Sequence, residues 1–180
     1  MSTPCRLRNN STNGMKTLGI DVGSSSVKVS LLDVATGECA GAVTLPSAEM
    51  PIDAPQPGWA EQDPRMWWNY VREGVRTLVA RAGGAGTVKA IGITYQMHGL
   101  VCLDEAGEPL RKSIIWCDSR AVEIGDRAFD ALGHDRCLER LLNSPGNFTA
   151  SNWPGCGRTS RKFLPECIVS CCPAITCCTG

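Results

Sequence analysis

From residue 63 to residue 84 the chain carries an apolar stripe that suits one structure. Trp67, Val71, Val75, Leu78 and Ala82 recur at steps of four, four, three and four, so they share one face of a helix. Arg65, Arg72, Glu73 and Arg76 lie off that face. Asp63-Pro64 supplies the start, with Asp as cap and Pro at the first helical position. Gly83-Gly84 supplies the stop. A helix with one apolar face needs a second layer to cover it, and the flanking sequence offers strands on both sides.

Residues 17–20 and 27–32 are β-rich runs. Asp21-Val22-Gly23-Ser24-Ser25-Ser26 reads as the turn between them, and residues 33–37 turn again into a third run near 39–45. Together they predict an antiparallel meander of three strands. A Pro-rich loop, 46–61, leads to the helix. Beyond it, residues 88–95 read as a buried strand, and 100–103 and 113–117 as two strands around the turn 105–109. Helices are expected over 120–132 and 134–142. The order predicts the α/β class: a mixed β-sheet with helices packed on it. Trp67 and Trp68 read as packing residues on the buried helix face, and Cys117 as a packing residue after its strand.

Apolar residues make up 43% of the 180 residues and charged residues 20%, the balance of a globular chain. No apolar run approaches the roughly 18 residues that a membrane-spanning helix needs. Net charge is zero but uneven: over 17–151, 12 basic face 17 acidic side chains, whereas 1–16 and 152–180 are basic. An acidic body argues against nucleic acid as a partner, and the shortness of the apolar runs argues against a membrane. Of the 11 cysteines, Cys5, Cys39, Cys102, Cys117 and Cys137 are scattered, while Cys156, Cys167, Cys171, Cys172, Cys177 and Cys178 crowd the end. The scattered set reads as thiols in a reducing compartment, and no apolar signal segment opens the chain, so a cytoplasmic location is expected. Three pieces follow: a polar, loose leader over 1–14, a body over 15–152, and a Cys-rich tail over 153–180 in which no helical or strand period is evident. Met15 opens the orderly part, which raises an upstream start codon as the origin of the leader.

The turn Asp21-x-Gly23-Ser24-Ser25-Ser26 has chemistry beyond turning. Gly23 permits positive φ and a close backbone approach. The amides and hydroxyls of Ser24, Ser25 and Ser26 can surround phosphate oxygens. Asp21 at a strand end can hold Mg²⁺ through water, and Lys28 adds positive charge. Asp, Gly and Ser are equally the residues of a plain hairpin turn.

LGIDVGSSSVKVSLLD resembles the first phosphate motif of the actin, Hsp70 and sugar-kinase fold. More narrowly, PGWAEQDPRMWW, ITYQMHGLV and WCDSRA resemble the FGGY family of carbohydrate kinases, and Gln96-Met97-His98-Gly99 with NSPGNFTAS resembles its xylulokinases. The resemblance covers about residues 17–152. It implies an actin-like ATPase (ribonuclease H-like) domain, of which the chain would be the N-terminal part of the first of two domains. It implies ATP and Mg²⁺ as cofactors and a small sugar, D-xylulose or a related ketose, as substrate. Asp21 would sit near Mg²⁺ and the phosphates, with Gly23, Ser24, Ser25, Ser26 and Lys28 around them. Gln96, Met97 and His98 would line the ketose pocket, and Asp118 and Arg120 would lie at its edge or order it. Trp116 and Asp118 are also readable as a strand end with an Asx turn.

Phosphorylation of a sugar hydroxyl needs a base, and the resemblance places the family's base aspartate well beyond residue 151. The chain itself is therefore expected to lack turnover. The tail is expected to be a frameshift product. Trp153 has one codon, and reading one base earlier permits LAWV, then NEPE, then LPGDY, a run resembling the xylulokinase continuation. One base lost near Asn152 would produce it. Two other readings remain at this point: a non-catalytic nucleotide- or sugar-binding module, and a cysteine-rich metal-binding protein. The adjacent doublets Cys171-Cys172 and Cys177-Cys178 are awkward for one tetrahedral metal centre.

Overall fold

A computed structural model describes residues 14–159 and 169–171. All of the expected leader but Gly14, and most of the tail, with Cys167, Cys172, Cys177 and Cys178, lie outside the described residues. In chain order the elements are β1 (Lys16–Val22), β2 (Val27–Asp33), β3 (Cys39–Leu45), β4 (Glu61–Gln62), α1 (Pro64–Arg81), β5 (Val88–Tyr95), β6 (Val101–Leu103) and β7 (Ser113–Ile114). Then follow α2 (Val122–Leu132), α3 (His134–Leu141), α4 (Thr149–Thr159) and β8 (Val169–Cys171). The described residues form two compact units, one within 14–50 and 66–95, the other within 51–65, 96–159 and 169–171.

In the first unit four strands form one sheet in the order β3-β2-β1-β5. β1 to β3 are the expected antiparallel meander, and β5 joins β1 in parallel, so the sheet is mixed. Period-two alternation sets its faces. Leu18, Ile20, Val22, Val27, Val29 and Leu31 are buried, while Lys28, Ser30 and Leu32 between them are exposed. The second turn is held by Asp33, whose Oδ1 accepts from the amides of Ala35 and Thr36, and Gly37 takes φ of 69° there. Lys16 Nζ lies 2.8 Å from Asp33 Oδ2 and ties the two ends of the hairpin.

Helix α1 starts as its sequence directs: the amide of Arg65 donates to Asp63 Oδ1 at 2.9 Å. Gly83 and Gly84, at φ of 86° and 117°, end it. Trp67, Val71 and Leu78 are buried, each contributing roughly 1.5–3 kcal/mol through removal from water. The buried face differs from the expected one at its centre. Val75 is only half-buried, and the neighbouring Gly74 is buried in its place. A Cβ on Gly74 would stand 2.6 Å from Val29 Cγ2, so the helix approaches the sheet at a point where no side chain fits.

Strand β5 corrects a second expectation. It is exposed: Ile91 is 60% and Ile93 40% accessible. The strand has one neighbour, β1, and no described element covers its own part of either face. The apolar run was a valid strand signal but carried no information on what lies against it.

In the second unit, short strands pair as β4 with β7 and β6 with β8, both antiparallel. Leu100, Cys102, Ile114 and Cys156 form a buried cluster with Leu110 and Trp153 against it. Helices α2 and α3 match the expected spans, and Gly125 meets the Pro145–Asn147 turn so closely that a Cβ would lie 2.0 Å from Gly146 Cα. Two elements enter the tail, where no period was evident. α4 runs through Pro154 to Thr159, and β8 adds to β6. Neither has a sequence period of its own, because a buried face of Ser151, Asn152 and Cys156 is not an apolar stripe.

Candidate functional site

The first group of candidate residues lies on the β1–β2 turn. Asp21 and Lys28 are cross-strand partners, with Lys28 Nζ 3.8 Å from Asp21 Oδ2. Both side chains are open to water, at 61% for Lys28 and 44% for Asp21, so this contact is a loose ion pair and leaves carboxylate oxygen accessible to a hydrated cation. The Gly23 amide donates to the Ser26 carbonyl at 3.0 Å, and a Cβ on Gly23 would stand 3.0 Å from that oxygen. A side chain here would crowd the turn, so the close approach favours glycine. Gly23 does not use the positive φ open to it. The Ser25 carbonyl accepts from the Met50 amide at 2.8 Å, which anchors the turn to the chain after β3. The outward face of the sheet beside the turn forms a depression of about 600 Å³ whose lining includes Gly19, Asp21, Lys28, Ser30, Gly92 and Thr94.

The second group lies in the other unit. Gln96, Met97 and His98 occupy the loop before Leu100. Gln96 is 9% accessible, and among the described residues neither its Nε2 nor its Oε1 has a hydrogen-bond partner. Met97 projects outward at 63%. His98 sits at φ of 68°, its ring stacked on Phe148 with centroids 4.8 Å apart. The first residues of α4 hold this loop from behind: Asn152 Nδ2 donates to the His98 carbonyl at 3.0 Å, and Thr149 Oγ1 to the Gly99 carbonyl at 2.9 Å.

Asp118 and Arg120 are directly joined. Arg120 donates from Nε and its own amide to Asp118 Oδ1 and from Nη2 to Oδ2, at 2.8, 2.9 and 2.7 Å. The Ala60 amide also reaches Oδ2 at 2.7 Å. The expected Asx turn is present, and the carboxylate is saturated. Arg120 Nη2 further donates to Glu61 Oε1 at 2.6 Å, Arg111 donates to the same oxygen, and Trp59 lies 3.8 Å under the Arg120 guanidinium. Desolvation works against the Arg120 charge, but the hydrogen bonds to Asp118 and Glu61 outweigh it and raise its pKa. Cys117, expected to pack, is exposed beside an exposed Trp116, the two forming a short outward excursion between buried Ile115 and buried Asp118.

Sequence reasoning missed Glu61, Arg111, Trp59 and Phe148. Glu61 and Trp59 stood inside a motif that was quoted for its resemblance alone. Nothing in the spacing links Arg111 to Glu61, 50 residues away. Among the described residues no cluster of three or more His, Cys, Asp or Glu is placed to hold a metal ion, and no helix is long and apolar enough to cross a membrane.

This mixed sheet and these loops define a class of protein. Residues 16–145 match the FGGY family of carbohydrate kinases, N-terminal domain, and the chain belongs to that family. Xylulose kinase of Streptomyces rubiginosus is 34% identical over 142 residues, covering 78% of this chain and 28% of the relative. Xylulose kinase of Escherichia coli K12 is 39% identical over 133 residues, 74% of this chain and 26% of the relative. The crystal structure of a xyloylose kinase from Brucella ovis superposes with a TM-score of 0.74 at 29% identity, over 88% of this chain and 32% of that one. The fold is accordingly that of the actin-like sugar kinases. The chain spans little more than a quarter of the length of the curated relatives it matches.

Proposed function

We propose that the chain is the opening part of an ATP-dependent kinase that phosphorylates a ketopentose, D-xylulose to D-xylulose 5-phosphate. The observation that carries the substrate side is Gln96, whose buried side-chain amide has no partner among the described residues: such a group costs about 1–3 kcal/mol, and a sugar hydroxyl in its loop would satisfy it. The names of the relatives support the same sugar class. In this reading Met97 and His98 line the ketose pocket beside Gln96. Arg120 and Asp118 order its edge rather than react, since Asp118 has both oxygens engaged and is not a proton acceptor.

The β1–β2 turn takes the nucleotide end. Asp21 holds Mg²⁺ through water, and Ser24, Ser25 and Ser26, with Gly23 giving the close turn and Lys28 adding charge, surround the phosphates. The exposed Asp21 carboxylate fits a hydrated ion, and the loose contact with Lys28 leaves room for one. Bound MgATP supplies the phosphoryl group to be transferred. The proton acceptor for the sugar hydroxyl is not among these residues, so the chain by itself carries out no turnover. The tail is proposed to arise from loss of one base near Asn152, which sequencing of the gene through and beyond this point decides.

Calorimetry on the 180-residue chain tests the site assignments. Saturable heat with D-xylulose, lost in His98→Ala and Gln96→Ala, and with MgATP, lost in Asp21→Ala, is expected. Absence of both in a folded chain overturns the assignments. Sugar-dependent ADP release would instead overturn the lack of turnover alone.

A further inference from the structure

We propose that Cys102 of β6 and Cys156 of α4 are an oxidisable dithiol that closes into a disulfide, stapling the helix to the strand, when the chain meets a small disulfide such as oxidised glutathione. Both residues are buried, at 2% and 1%, in the one cluster with Leu100 and Ile114. Their sulfurs are in hydrogen-bonding contact. Arg111 Nη1 lies 3.2 Å from Cys156 Sγ, and its other arm is fixed on Glu61, so the positive charge is held in place beside that sulfur. A guanidinium and a thiol donor on one sulfur favour its thiolate, and the Cys156 pKa is lowered to about 6, first by the Cys102 hydrogen bond and then, against burial, by Arg111. One sulfur is thereby the nucleophile and its neighbour the resolving thiol. This feature is independent of kinase function and of how the tail arose.

The exchange balances without a further reactant. The Cys156 thiolate attacks one sulfur of the small disulfide, breaking its S–S bond and releasing one small thiolate. Cys102 then loses its proton, its sulfur attacks Cys156 Sγ, and the mixed disulfide breaks to release the second small thiolate. The two protein thiols give up two electrons, and the small disulfide becomes two thiols that carry away the two protons. Burial means that the first attack waits for local opening of α4. Pro154 inside that helix lacks an amide donor and removes one of its hydrogen bonds, which favours such opening.

Tryptic mapping reads the outcome. Cys102 is the sole cysteine of fragment 90–111 and Cys156 of fragment 141–158. The folded chain is incubated with oxidised glutathione, its remaining thiols are alkylated, and the digest is weighed without reduction. The expected dominant product is these two fragments joined, lighter than their sum by two hydrogens, and lost in Cys102→Ser. The same oxidation in guanidinium gives a scramble of cysteine pairs. The proposal is overturned if folded and unfolded chains give the same mixture. It is also overturned if Cys156 retains glutathione while Cys102 is alkylated, or if Cys156 joins chiefly to another cysteine.

Discussion

Gly74 of α1 lies so close to Val29 of β2 that a single methyl group placed on it would overlap the valine, at 2.6 Å from Cγ2. Val29 is 1% accessible and stiff at its branched Cβ, and Val43 Cγ1 on the next strand would stand 3.5 Å from the same added methyl. Gly74→Ala should therefore destabilise the first unit. Overpacking costs about 1–3 kcal/mol and exceeds the helix-propensity gain of roughly 1 kcal/mol. Urea unfolding followed by circular dichroism checks it, and a rise in midpoint would contradict the packing argument.

Glu61 accepts from two buried guanidiniums on one oxygen. Removing the carboxylate leaves Arg111 and Arg120, at 9% and 2% side-chain exposure, facing each other without their shared anion. Glu61→Ala is expected to cost about 3–5 kcal/mol, and Glu61→Gln less, because the amide oxygen still accepts. Thermal unfolding of both variants tests the order. Equal losses would mean that the charge is unimportant and only the shape matters.

Asp33 sets an acid limit. The hydrogen bond from Lys16, with a smaller contribution from the Thr36 amide, holds its carboxyl below the ordinary 3.8. The unfolded chain takes up the proton first as pH falls. The stabilisation is thus complete above the ordinary carboxylate range and lost as pH drops through it toward the lower folded value. Asp33→Asn should lower the urea midpoint at neutral pH, and its difference from the parent chain should shrink below about pH 4. A difference that stays constant down to about pH 2.5 would remove Asp33 from the account.

Strand β5 exposes Ile91 and Ile93 on a sheet edge, the arrangement that invites pairing with other chains. Ile91→Lys and Ile93→Lys should reduce light scattering at high protein concentration, with little effect on the unfolding midpoint. Unchanged scattering in the double variant would place the adhesive surface elsewhere.

The parts legible in the sequence were those governed by local chemistry. Asp63-Pro64 and Gly83-Gly84 mark α1 because caps act within a turn, and the alternation of β1 and β2 follows from one buried face. The resemblance singled out the β1–β2 turn and the Gln96–Met97–His98 loop as candidates. What escaped was set by distance along the chain or by absence of a neighbour. Periodicity could not distinguish Val75 from Gly74, since either lies near the stripe and only the approach of Val29 decides. It could not show that no described element covers β5, or that Cys117 faces water. The Glu61 cluster joins residues from three separate loops and strands, and no local signal predicts such a meeting. α4 and β8 likewise have no period to read.

The pairing of Ile20 with Val29, Asp21 with Lys28 and Val22 with Val27 has a consequence for the connecting bend. Neighbouring side chains point to opposite faces, so gain or loss of one residue between 22 and 27 sets the two strands out of step. Repairing the ladder by sliding one strand would then turn its carboxylate or its lysine inward among the leucines and valines beneath α1. The length of that bend is therefore as much a determinant of where the acidic group points as the aspartate itself. A homologous design that lengthens it would have to lengthen it by pairs.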